Sequence, residues 1–283
     1  MKLEIRKFDL KNIKSDSTVL LMGKRATGKS FCLKDLMYHL RDLPMGVVIS
    51  PTESANQFFG EFIPSILVYD EYTPDIIAKF VDRQRKITLQ YNAEKKKYGR
   101  TDIDPRGFII LDDCLYDKSW LNDKNIRFLL MNGRHVFSFC VFTSQQILGV
   151  PPSLRSNLDY IIICRENIIN NREKIYRHYA GMLPTFDVFN QVFTACTNNY
   201  EVLIVDNRTQ SNALSDQIFW FKAAPRAFQM CSKELWQIQA LEEERRALGY
   251  DKKTEDNEDE LDYDPAVFTA KKHSIPIRVR KTS

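Results

Sequence analysis

The sequence is poor in the features that would mark several common protein classes. Its six cysteines, at 32, 114, 140, 164, 196 and 231, are never closer than 24 residues. No CxxC pair exists, so neither a zinc ribbon nor a dithiol redox motif is encoded. Cys140 and Cys164 sit inside apolar runs and read as small core residues, reduced as in an intracellular compartment. The four histidines, His39, His135, His178 and His273, have no metal-ligand neighbours and receive no site. Apolar stretches such as residues 137–142 are far too short to span a bilayer, and Met1 to Lys7 contains no apolar stretch, so neither a membrane helix nor a signal peptide is expected. No internal repeat or low-complexity tract precedes residue 241.

What is present is a chain of 283 residues, 43% apolar and 12% aromatic, enough for one large α/β domain. The formal net charge of +4 hides an asymmetry. Residues 242–264 carry eleven acids against four bases, residues 271–281 carry five bases and no acid, and residues 1–241 are left at +6. A mildly basic body suits a polyanionic partner and is also common without one. The domain is placed at residues 1–249, with its core at about 15–225, and residues 250–283 read as a charged, flexible tail.

Apolar runs at 18–22, 46–50, 66–69, 107–112, 136–143 and 160–164 read as strands, and helical spacing at 29–42, 74–97 and 122–132 alternates with them. Strands that are apolar throughout and alternate with helices predict a three-layer α/β fold: a mostly parallel sheet with helices on both faces. Beyond residue 170 two helices flank Pro184, residues 200–205 and 217–221 could pair as a hairpin at the sheet edge, and a last helix begins at Ser232.

Three segments carry chemistry. Gly23-Lys24-Arg25-Ala26-Thr27-Gly28-Lys29-Ser30 has the spacing of a phosphate-binding loop, with a strand before it and, after it, an amphipathic helix whose apolar residues are Phe31, Leu33, Leu36, Met37 and Leu40; residues 23–31, Phe31 included, are the expected nucleotide contacts. Its backbone N–H groups can cradle the phosphates of ATP, Lys29 places a charge between them, and the Ser30 hydroxyl is suited to Mg²⁺. The second segment, Phe108 to Asp113, is an apolar strand ending in two carboxylates. Asp112 is the expected Mg²⁺ partner and Asp113 the group that polarises the attacking water. The third, Phe142-Thr143-Ser144-Gln145-Gln146, ends the next strand, and Gln145 is preferred over Gln146 as the γ-phosphate sensor. Arg155, and less so Arg134, are candidates to reach a neighbouring subunit's γ-phosphate. Arg83, Arg85, Lys86, Lys95, Lys96, Lys97 and Arg100 form a basic stretch that could face a phosphodiester backbone or simply water.

Taken in order, these segments, together with Asn132-Gly133-Arg134-His135 and Pro151-Pro152-Ser153-Leu154-Arg155-Ser156-Asn157, resemble those of the genome-packaging ATPases of nucleocytoplasmic large DNA viruses, in the FtsK–HerA group of P-loop motors. The resemblance covers about residues 15–225. It implies a RecA-like core whose Asp-Asp strand lies between the phosphate-loop strand and the Gln strand. It also implies a homo-oligomeric ring translocating double-stranded DNA into a capsid, in the host cytoplasm at viral assembly sites, with capsid or inner-membrane viral proteins as further partners. By residue, Lys29 and Ser30 match the nucleotide site, Asp112 and Asp113 the Mg²⁺ and catalytic acids, and Gln145 the sensor. Many relatives in the wider group end the acidic strand in Asp-Glu; Asp113 is one methylene shorter. A small-molecule P-loop kinase and a slow nucleotide-gated scaffold are the alternative readings.

Overall fold

The computed structural model describes residues 4–114 and 119–247. The tail expected at 250–283 lies outside them. Among the described residues one sheet is formed by nine strands: β1 (Arg6–Lys7), β2 (Thr18–Met22), β3 (Gly46–Ile49), β4 (Val68–Tyr69), β5 (Gly107–Leu111), β6 (Ser138–Ser144), β7 (Tyr160–Ile163), β8 (Glu201–Asp206) and β9 (Ile218–Lys222). Their spatial order is β1-β9-β8-β7-β2-β6-β5-β3-β4. Only β8, among these, runs against the rest, pairing antiparallel with β7 and β9.

Because side chains alternate across a strand, the apolar runs feed two cores. Leu20, Ile49, Leu111, Phe142, Ile161 and Leu203 enter the core on one face. Val19, Val48, Ile110, Val141, Ile162 and Ile204 enter the core on the other. The first core is closed by α3 (Pro74–Tyr98), α4 (Lys124–Asn132), α6 (Ile169–Tyr179) and α7 (Phe186–Cys196). The second is closed by α1 (Lys29–His39) and the 59–67 segment. Two single turns, α2 (Glu53–Asn56) and α5 (Pro152–Arg155), and a terminal helix α8 (Lys233–Ala247) complete the set. Each fully buried Leu, Ile or Phe contributes about 1.5–3 kcal/mol, so both faces are firmly held.

Local chemistry explains several boundaries. The Thr73 side chain accepts the Ile76 N–H, Pro74 opens α3, and Gly99, at φ 71°, closes it. Asp123 caps α4 and Thr185 caps α7. Asp35 of α1, only 1% exposed, accepts from Arg226 Nε at 2.7 Å and from the Ala224 N–H at 2.8 Å. These bonds to the buried Asp35 carboxylate fasten the 224–226 segment over the helix carrying Lys29 and Ser30.

Four expectations are corrected. The Asp-Asp strand does not lie between the loop strand and the Gln strand: β6 pairs with both β2 and β5, placing Phe142 beside Leu20 on one side and Leu111 on the other. The antiparallel pair β8–β9 is not at the sheet edge, because β1, two residues long and invisible to periodicity, adds outside it. Arg83 is not part of an exposed basic face. It is 2% exposed and donates to Gln84 Oε1, while Lys86, Lys95, Lys96, Lys97 and Arg100 are exposed. Phe31, counted with the apolar face of α1, is 51% exposed, because the second core lies against Cys32, Leu33, Leu36 and Met37 instead.

Candidate nucleotide site

Parallel strands that end on the same side gather their following residues into one crevice. Here β2 delivers the 23–30 loop, β3 delivers Ser50, β5 delivers Asp112 and Asp113, β6 delivers Thr143 to Gln145, and β7 delivers Glu166 two residues after Cys164.

The loop departs from β2 with no room to spare. The Gly23 N–H donates to the Ser144 carbonyl at 2.9 Å, and Cys164 N–H donates to the Met22 carbonyl at 2.8 Å. A Cβ at Gly23 would lie 2.6 Å from Thr27 Oγ1 and 2.7 Å from Cys164 Cβ, so only glycine fits. Gly28 takes φ 89° at the entry to α1, the left-handed conformation that side chains resist, and this turns the first helical N–H groups toward the crevice. Thr27 Oγ1 donates to the Lys24 carbonyl at 2.7 Å and closes the loop on itself. Burial pushes the Cys164 thiol beneath it up to about 11, against the opposing effects of the Thr27 hydrogen bond and the Lys29 charge.

The acids are held by a connected network. Thr143 Oγ1 donates to Asp112 Oδ1 at 2.6 Å and accepts from the Asp113 N–H at 2.9 Å. Ser50 Oγ donates to Asp112 Oδ2 at 3.2 Å. The Gln145 amide donates to Asp113 Oδ2, and Lys29 Nζ stands 4.0 Å from Asp113 Oδ1. Asp113 itself has φ 52°, a strained backbone state of the sort that clusters at functional sites. The structure thus brings Lys29, Asp112, Asp113 and Gln145 together, and the β6 position between β2 and β5 is what puts Gln145 within reach. The backbone of Gln146 is bound to Ser144 instead: its N–H donates to Ser144 Oγ at 2.8 Å, and its carbonyl accepts from the same hydroxyl.

Lys24 is tied across the crevice to Glu166, Nζ to Oε1 at 2.7 Å. Burial raises the Glu166 carboxyl, but donation from Lys24, from the Ile168 N–H and from Asn171 outweighs it, and the group ends below its ordinary 4.5. Sequence reading missed Ser50, Thr143 and Glu166 as members of the site. A faint signal existed: each is a polar residue at or just past the end of an apolar strand.

Arg155 and Arg134 do not join the cluster. Arg155 Nε donates to the Val150 carbonyl at 2.7 Å and its guanidinium lies 5.4 Å from the centre of the Tyr179 ring. Arg134 bonds Asp159 Oδ1 at 3.3 Å, while Oδ2 of the same Asp159 accepts the N–H of Thr18, the first residue of β2. The loop follows the last residue of β2, so Arg134 is tied to the opposite end of that strand from its own chain's loop.

The donors suit Mg²⁺. Ser30 Oγ and Asp112 offer oxygen only, and a small hard cation bound jointly with phosphates needs no cage of protein acids; among the described residues there is no cluster of three His, Cys, Asp or Glu that could hold a metal alone. No described helix is long and apolar enough to cross a membrane.

Fold and loop together define a P-loop NTPase fold. Solved structures agree: the pCW3 conjugation coupling protein TcpA superposes with a TM-score of 0.52 at 14% identity, covering 81% of this chain and 66% of that one. The genome packaging NTPase B204 of Sulfolobus turreted icosahedral virus 2, in complex with AMP, gives 0.50 at 18% identity over 75% of this chain and all of that one. No family model matches the chain. Over 234 residues it is 39% identical to the uncharacterized protein L437 of Acanthamoeba polyphaga mimivirus, covering 82% of each. It is 35% identical over 204 residues to the uncharacterized protein 075L of Invertebrate iridescent virus 6, covering 71% of this chain and 74% of the relative. The chain belongs to the family that these viral proteins form.

Proposed function

We propose that the protein hydrolyses ATP and uses the energy to move double-stranded DNA into a viral capsid, acting as a ring of identical subunits. The observation that carries the hydrolytic part is Asp113, held by Thr143 and Gln145 beside Lys29. A carboxylate fixed next to the phosphate-binding lysine and to an amide is arranged to orient a water, whereas a kinase needs a second pocket for its acceptor. The packaging NTPase and the conjugation coupling protein that share the fold support the DNA-moving part, and the viral relatives support the viral setting.

In this reading residues 23–31 bind the triphosphate. The loop N–H groups and Lys29 take the phosphate charge, and Asp113 receives the proton of the attacking water. Gln145 orients that water and senses the γ-phosphate. Ser30 and Asp112 would hold Mg²⁺, which supplies charge neutralisation along the phosphates when bound. Thr143 and Ser50 donate to both Asp112 oxygens and so orient the carboxylate, as outer partners of a metal ligand do. No arginine of the same chain belongs to the described cluster, which supports completion of the site by Arg155 or Arg134 of a neighbour. The exposed lysines of α3 are the candidate DNA-facing charges, and residues 1–249 would form the motor domain.

The test is product analysis with ATP and Mg²⁺. Stoichiometric ADP and free phosphate are expected. ADP without free phosphate, with the phosphoryl group on an acceptor, would make the protein a kinase instead.

A further inference from the structure

The loop at 23–30 has two flanks. The Asp112, Asp113 and Gln145 cluster occupies the β6–β5 flank. A triphosphate running toward those acids must send its other end across β2 to the β7–β8 flank. On that flank a half-open cavity of about 230 Å³ is lined by Ala26 and Thr27 of the loop, Arg165 after β7, and Asn199 and Tyr200 before β8. It is smaller than the roughly 300 Å³ at which pockets for whole small-molecule ligands begin, and it abuts the phosphate loop directly.

Its walls are suited to a flat aromatic ligand. The Tyr200 side chain reaches the loop itself: a Cβ at Gly28 would lie 3.3 Å from Tyr200 Cδ1. Tyr200 is nevertheless 65% exposed, so its ring is not consumed by the core. Arg165 adds a planar guanidinium, with its Nε held by Asn167 Oδ1 at 3.0 Å. Asn199 and Tyr200 are consecutive residues at φ 50° and 63°, in a turn closed by the Glu201 N–H on the Asn198 carbonyl at 2.9 Å. Two adjacent left-handed residues, one of them aromatic, are costly, and such turns persist where they place a side chain for use. An exposed ring and a guanidinium flanking a cavity are the groups on which nucleobases stack.

We infer that this cavity is the nucleoside subsite, with Tyr200 as the stacking platform for the base and Arg165 as its second wall. The inference rests on the nucleotide reading above and adds where the base goes and what holds it. Stacking reads the flat face of a base and not its edge, so the subsite separates a nucleotide from bare polyphosphate more sharply than one purine from another.

The experiment is calorimetric titration of wild type, Tyr200→Asn, Tyr200→Phe and Arg165→Ala with ATP and, separately, with inorganic tripolyphosphate, both with Mg²⁺. Asparagine tolerates the left-handed turn, so Tyr200→Asn removes the ring without adding strain. Wild type is expected to bind ATP more tightly than tripolyphosphate. Tyr200→Asn should weaken ATP about tenfold, in the range found for single stacked bases, and leave tripolyphosphate unchanged. Tyr200→Phe should behave as wild type, and Arg165→Ala should lie between. Unchanged ATP affinity in Tyr200→Asn, or equal loss of both ligands, overturns the subsite and leaves the phosphate reading standing. Wild type that binds neither ligand overturns the phosphate reading itself.

Discussion

Gln145 donates its side-chain amide to Asp113, and the two residues come from strands that are immediate neighbours, β6 and β5. Asp113 is fixed in this way, Lys29 stands 4.0 Å from its other oxygen, and the proposed hydrolysis has this carboxylate receive a proton from water at the end of the phosphate loop. Asp113→Asn keeps the size and suits φ 52° better than aspartate does. It should therefore fold and bind ATP normally while turnover falls about 10²–10⁴-fold, the usual contribution of a general base. Phosphate release beside equilibrium nucleotide binding checks this; normal turnover would remove Asp113 from the mechanism.

Thr143 ties the two acidic residues together, its hydroxyl donating to the Asp112 carboxylate and accepting from the Asp113 backbone N–H. It is 1% exposed. Thr143→Val leaves the Asp113 N–H without its acceptor, which costs about 1–3 kcal/mol. Chemical denaturation should show that loss, and the Mg²⁺ concentration giving half-maximal activity should rise because Asp112 keeps only Ser50 of its two orienting donors.

Gly23 has no space for a methyl group, with Thr27 and Cys164 both under 3 Å from its ideal Cβ. Gly23→Ala is expected to cost about 1–3 kcal/mol by overpacking and to displace the loop. Nucleotide affinity should fall more than stability does, a comparison that titration and thermal melting supply together.

Much of this was readable in advance. The three-layer α/β fold, the 23–30 loop and the Asp112–Asp113 pair follow from apolar runs and residue spacing, which are local properties. The order of strands is not local. That Phe142 lies between Leu20 and Leu111 depends on how the crossover helices pack, so the position of β6 was misassigned although β6 itself was recognised. Ser50 and Glu166 were missed for the same reason: each is one ordinary polar residue whose partner is far away in sequence. Arg83 looked like a surface charge because composition along α3 says nothing about which side of that helix meets the core.

Glu166 makes the ion pair with Lys24 sensitive to acid. Its folded pKa lies below 4.5, so the stabilisation it provides is complete above that value and is lost as pH falls through the lower folded value. Glu166→Gln should be less stable than wild type by about 1 kcal/mol at neutral pH, a modest figure because Lys24 is 43% exposed. The gap should close in acid. A gap that stays constant below pH 4.5 would show that the charge contributes nothing.

A DNA-moving motor of this kind couples ATP hydrolysis to DNA. The most direct measurement is the rate of phosphate release with and without long double-stranded DNA, over a range of protein concentrations. The expected rate rises severalfold with DNA and, if a neighbour supplies the arginine as proposed, more steeply than in proportion to protein concentration. A rate that is the same with and without DNA, and strictly proportional to protein concentration, would contradict it.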